Sequence, residues 1–66
     1  MSEKARAIYC EMLCNEIVEM FGVTSEEAKR AVSNSAIQTL ITEDPEYVDH
    51  VPLSSWAEEV HEEMFQ

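Results

Sequence analysis

The amino-acid sequence predicts an all-α fold: one small domain over residues 1–66, with three main helices and a short fourth. Three observations lead there. Apolar residues recur at spacings of three and four rather than two, the period of a helix with one buried face. Ser or Thr stands just ahead of each such stretch, where a helix needs side-chain oxygens to satisfy its first free amides. Finally, the single Gly and both Pro fall between the stretches, where a helical chain stops or restarts.

The first helix is expected over about 2–21. Ser2 is placed to cap it, and Glu3 suits the positive end of the helix dipole. At about 100° per residue, Tyr9, Cys10, Leu13, Cys14, Ile17, Met20 and Phe21 share one wide face, with Glu11, Asn15 and Glu19 opposite. Ile8 and Met12, four apart, stand off that face among the polar residues. They form a second apolar strip, which a partner chain or the C-terminal helix must cover. Gly22 ends the helix, since Gly alone takes the left-handed conformation at no cost.

The second helix is expected over about 24–42, opened by a capping box in which Thr24 and Glu27 bond reciprocally. Val23 and Ala28 occupy the positions of a hydrophobic staple. Ala28, Ala31, Val32 and Ser35 continue one face, but Ile37, Leu40 and Ile41 fall on another. A break or kink near 33–35 follows, because Ser33, Asn34 and Ser35 are poor helix-interior residues. Ser35 with Gln38 forms a second capping-box pattern. Pro45 stops this helix and starts a short helical turn at 45–48. His50-Val51-Pro52-Leu53 reads as an extended connector, and Ser54 or Ser55 as the cap of a last helix over about 54–65. Trp56, Ala57, Val60 and Met64 mark its buried face.

Charge limits what such a domain does. Fourteen acidic and four basic residues give a net charge of −10. Residues 1–42 hold six acids and all four bases, a net −2, whereas residues 43–66 hold eight acids and neither Lys nor Arg, a net −8. That third of the chain repels phosphate and anionic lipid and attracts a basic partner. An acidic face that only keeps a small protein soluble is the plainer reading. No run of apolar residues approaches a membrane span, and no basic stretch followed by an apolar one marks a secretory signal, so a cytoplasmic, reducing setting is expected. A chain this short buries only about 60% of its unfolded surface. Oligomerisation, as a homodimer, is the expected additional source of stability.

No catalytic constellation assembles, and neither enzyme activity nor a cofactor is expected. Cys10 and Cys14, one helical turn apart, would hold their Cβ atoms about 5–6 Å apart, too far for a disulfide. With no third cysteine they read as buried small hydrophobes rather than zinc ligands. Glu58 and His61 form one Glu-x-x-His pair, where di-iron bundles use two such pairs and two further glutamates. His50 beside Asp49 reads as a solvated loop histidine. The single Trp, Trp56, reads as a core anchor.

One segment, residues 17–32, resembles a DNA-binding helix-turn-helix through Gly22 and Val23 in the turn, a capped second helix, and apolar residues at 28, 31 and 32. It departs from that pattern at Val18, where Ala is usual, and at Glu26 and Glu27, which open the would-be recognition helix with only Lys29 and Arg30 to meet phosphate. The same stretch resembles the loop and second helix of ubiquitin-associated domains through Met20-Phe21-Gly22-Val23, without their Met-Gly-Phe order. Each resemblance covers about a quarter of the chain. A generic helix–turn–helix corner accounts for both, and no family is assigned.

The function expected from these features is that of a small acidic protein–protein interaction module or regulatory subunit without catalytic activity. Its partner is a basic protein, met by Ile8 and Met12 and by Glu58, Glu59, Glu62 and Glu63 around the solvent side of the last helix. Direct nucleic-acid and membrane binding are not expected. The alternative is a nucleic-acid-linked role, as a degenerate helix-turn-helix regulator or as an acidic DNA mimic filling a basic groove.

Overall fold

The computed structural model describes residues 1–64, which form five helices and no strand: α1 (Glu3–Phe21), α2 (Ser25–Asn34), α3 (Ile37–Glu43), α4 (Pro45–His50) and α5 (Leu53–Glu63). No described helix is long and apolar enough to cross a membrane. The start of α1 is as its sequence dictates: the Ser2 Oγ accepts the Ala5 N–H at 3.1 Å. Its end is Gly22 at φ 69° and ψ 21°, whose N–H donates to the Val18 carbonyl. Leu13, Cys14 and Ile17 are buried, with Tyr9, Cys10 and Phe21 packed against them. Met20 departs from expectation. It lies one heptad beyond the fully buried Leu13 yet is 39% exposed. Periodicity fixes an angle around the helix without supplying a neighbour to cover it, and in the same last turn Val18 and Phe21 are the residues that pack on the core.

The capping box of α2 forms in full. Glu27 N–H donates to Thr24 Oγ1 at 3.1 Å, and Thr24 N–H donates to Glu27 Oε1 at 3.2 Å. The expected 24–42 helix is in fact two, with Ser35 and Ala36 between them. Ser35 has extended backbone (φ −79°, ψ 152°), so the chain turns and brings Ile37 and Ile41 into the core alongside Ala28 and Val32. The second capping box does not form. Ser35 Oγ accepts the Ile37 N–H at 3.2 Å and donates to Glu63. Gln38 Nε2 turns away to the Val32 carbonyl at 3.0 Å.

Pro45 occupies the first turn of α4, and Asp44 caps it through the Tyr47 N–H at 3.3 Å. The expected turn at 45–48 continues to His50, so the connector shrinks to Val51 and Pro52. Neither Ser54 nor Ser55 caps α5: the helix begins at Leu53, and Pro52 precedes it with no side-chain cap. With the Pro52 carbonyl accepting from Ser55 and Trp56, both serines fall inside the first turn. The expected extension of this helix to Phe65 lies outside the described residues.

Helix α1 packs against α2 and α5, and α3 against α4. Leu13, Ile17, Ile37, Ile41, Val48 and Val60 are the largest fully buried side chains. Trp56 closes one side of this core, its Nε1–H donating to the Val48 carbonyl at 3.0 Å with the Tyr47 ring edge-on at 5.8 Å. The six-residue α4 is too short to persist alone. The indole therefore ties it to α5.

Candidate functional site

Helix α1 presents one apolar face to the core and a second to solvent. Ile8 and Ile17 are nine residues apart, half a turn in projection; Ile17 is fully buried and Ile8 is 50% exposed. Met12, one turn after Ile8, is also 50% exposed. α5 covers neither. Ala5, Glu11, Asn15 and Glu19 are exposed around them, so the strip is apolar in the middle with carboxylates toward its C-terminal end.

The four acids expected on the solvent side of α5 divide. Glu58, Glu59 and Glu62 are exposed. Glu63 is half-buried and turns inward: its Oε1 accepts the Ser35 hydroxyl at 2.7 Å and its Oε2 accepts the Ala36 N–H at 3.2 Å. This carboxylate fastens the α2–α3 corner from the far end of the chain by accepting the Ser35 hydroxyl and the one amide of Ala36, the residue that precedes α3 and makes no side-chain cap of its own. Its place on the solvent side is thereby corrected. Position along α5 does not reveal it, because the acceptor is chosen by a contact 28 residues away in sequence.

Arg6 is the other residue that sequence reasoning passed over. Its guanidinium donates to Thr42 Oγ1 at 2.9 Å and to Gln38 Oε1 at 2.7 Å, clamping α1 to α3. One of the four bases is thus engaged within the fold. Lys29 and Arg30 are exposed on α2, while the Glu27 carboxylate is folded back on Thr24. The hydrogen bonds from Thr24 hold the Glu27 carboxyl below its usual pKa.

The thiols and imidazoles do not converge. Cys14 is buried, which pushes its thiol pKa up, and the half-buried Cys10 accepts a weak bond from Gln38 Nε2 at 3.7 Å; both are free. The His61 ring stacks on Phe21 at 3.7 Å with 7° between planes. His50 is the exposed last residue of α4 rather than part of an extended connector. Among the described residues, no three His, Cys, Asp or Glu side chains are grouped to hold a metal ion.

Tyr9 carries the most perturbed group. Its hydroxyl is out of solvent and has no hydrogen-bond partner among the described residues. Burial, followed by the nearby charge of Asp49, pushes its pKa from 10.0 up to about 12. A folded-state pKa above the unfolded value means that the native protein holds this proton more tightly. Stability from this group is therefore complete below pH about 10 and is lost as pH rises toward about 12. Tyr9→Phe is expected to stabilise the fold by roughly 1 kcal/mol at neutral pH, since it removes an unsatisfied buried hydroxyl. It should also flatten the alkaline loss relative to wild type. Urea denaturation followed at neutral and alkaline pH tests both; a destabilised variant would show that the hydroxyl is satisfied.

Compared with protein-family models, curated proteins and solved structures, the chain matches none.

Proposed function

We propose that this protein is a small acidic interaction module or regulatory subunit, without catalytic activity of its own, that binds a basic protein in the cytoplasm. The observation that carries this reading is the pair Ile8 and Met12, each half exposed, on the face of α1 that points away from the core. Exposed apolar side chains beside carboxylates suit a partner helix with an apolar face and basic flanks. The apolar pair supplies affinity, and the charge of −10 supplies encounter rate and selectivity. A second copy of the chain, forming a symmetric dimer, competes for the same strip.

Salt separates these occupants. Two chains of charge −10 repel, so self-association rises as salt screens them, whereas attraction to a basic partner falls. The experiment places a photo-crosslinking residue at position 8, isolates the captured protein and measures its binding to purified wild type and to the Ile8→Glu, Met12→Glu double variant. The expected result is an association rate that drops steeply with salt and an affinity reduced about tenfold or more by the double change, since two apolar anchors become charged. A captured protein whose binding ignores both salt and substitution overturns the proposal. Light scattering run in parallel assigns the strip to a dimer if twice the monomer mass appears, grows with salt and vanishes in the double variant.

A further inference from the structure

We propose that the groove between α3 and α5 seats an arginine side chain of the basic partner, an inference that rests on the interaction function proposed above and names where that partner is read. The groove encloses about 260 Å³. That is below the roughly 300–1,000 Å³ of sites for small molecules and cofactors, and it suits a single long side chain. Buried Ile37 and Trp56 with half-buried Leu40 make an apolar floor, and Glu59, Glu62 and Glu63 stand at the edge. Arginine matches both parts: its methylenes lie on apolar surface while its charged head reaches carboxylates.

Glu63 selects arginine over lysine. A carboxylate has about four lone-pair positions. Ser35 donates to Oε1 and Ala36 to Oε2, so the group is already held in place, with acceptor capacity left on it among the described residues. Together with Glu59 and Glu62 it offers acceptors on more than one carboxylate, which the five N–H donors of a planar guanidinium can meet at once and a compact, point-like ammonium cannot. Exposed Glu59 and Glu62 add negative potential beside a low-dielectric wall, where fields are focused. None of the residues lining the groove is Lys or Arg; Arg30 lines a separate cavity that shares Glu63.

The test titrates the isotope-labelled protein with three capped peptides, identical except for Arg, Lys or neutral citrulline at the centre, in a lysine-flanked background. Chemical shifts are followed by NMR. With the Arg peptide, the amides of Ala36, Ile37 and Leu40 and the indole N–H of Trp56 should move. The Lys peptide should bind several-fold more weakly, and citrulline should leave these signals in place. A Glu59→Gln, Glu62→Gln double variant, changed only at exposed positions, should keep its thermal melt and bind the Arg peptide about three- to tenfold more weakly. Equal shifts from Arg and Lys overturn the arginine assignment. Shifts confined to α1 around Ile8 and Met12 overturn the groove and leave the basic-partner reading standing. If no peptide moves any signal, both fall.

Discussion

Trp56→Ala is expected to destabilise the fold by roughly 3–5 kcal/mol, a large share of what a chain of this length has. The indole is 7% exposed, donates to the Val48 carbonyl and meets the Tyr47 ring edge-on. Truncating a buried Trp costs roughly 3–5 kcal/mol, because the cavity it leaves only partly collapses. At roughly 0.05–0.15 kcal/mol per residue, a chain of 66 residues has about 3–10 kcal/mol in total. The loss therefore ranges from about a third of that margin to all of it. It also loosens α4, which is then held by its packing on α3 and by the buried Val48 side chain. Trp56→Phe separates the two contributions: most of the apolar area stays, while the Val48 carbonyl loses its donor at a cost of roughly 1–3 kcal/mol. Urea unfolding followed by far-ultraviolet circular dichroism is the measurement, since it does not need the lost chromophore. An alanine variant within about 1 kcal/mol of wild type would contradict the placement of Trp56 in the core, given the usual cost of large core truncations.

The second large effect is expected at Glu63. Glu63→Ala strips the cap from the α2–α3 corner, leaving the Ser35 hydroxyl, in a residue 6% exposed, and the Ala36 amide without their acceptor. Losing the partner of the buried Ser35 hydroxyl costs roughly 1–3 kcal/mol, whereas the exposed Ala36 amide is left to water. Glu63→Gln keeps one carbonyl oxygen and should fall between alanine and wild type. Glu62→Ala, one residue earlier and exposed, should change stability by less than about 0.5 kcal/mol. Urea midpoints rank the three, and amide exchange at Ala36 and Ile37 locates the effect. If the Glu62 and Glu63 variants lose the same amount, the carboxylate does not cap the corner.

These two sites show how legibility divides along this chain. The ends of α1 and the start of α2 were readable because each rests on interactions within a few residues: Ser2 with Ala5, Gly22 with Val18, and Thr24 with Glu27. Local capping energy scarcely depends on the rest of the fold. The corner at Ser35 was readable as a break, since Ser33, Asn34 and Ser35 weaken a helix wherever they occur. Its partner was not. A Ser-x-x-Gln pattern pointed to Gln38, but the Ser35 N–H and the Gln38 side chain both donate to the Val32 carbonyl, and the Ser35 hydroxyl donates to a carboxylate that α5 delivers. The cap of α5 failed for a related reason. Two serines offered a choice of start, and Pro52 set the start of the helix one residue ahead of them.

Sequence by itself determined that the chain is all-α, where α1 ends and α2 begins, which residues are apolar enough for the core, and that its C-terminal third carries −8 without a compensating base. Helical periodicity and local capping act within about one turn, so a single stretch of sequence contains them. Tertiary structure alone decided which apolar residues stay uncovered and which charges are engaged inside. Ile8 and Met12 are left to solvent, Arg6 is drawn into a clamp on Gln38 and Thr42, and Glu63 is turned from the surface to hold α3. Covering a side chain requires a second element at a particular distance and angle. That geometry arises from packing between residues far apart in the chain, which no local pattern encodes.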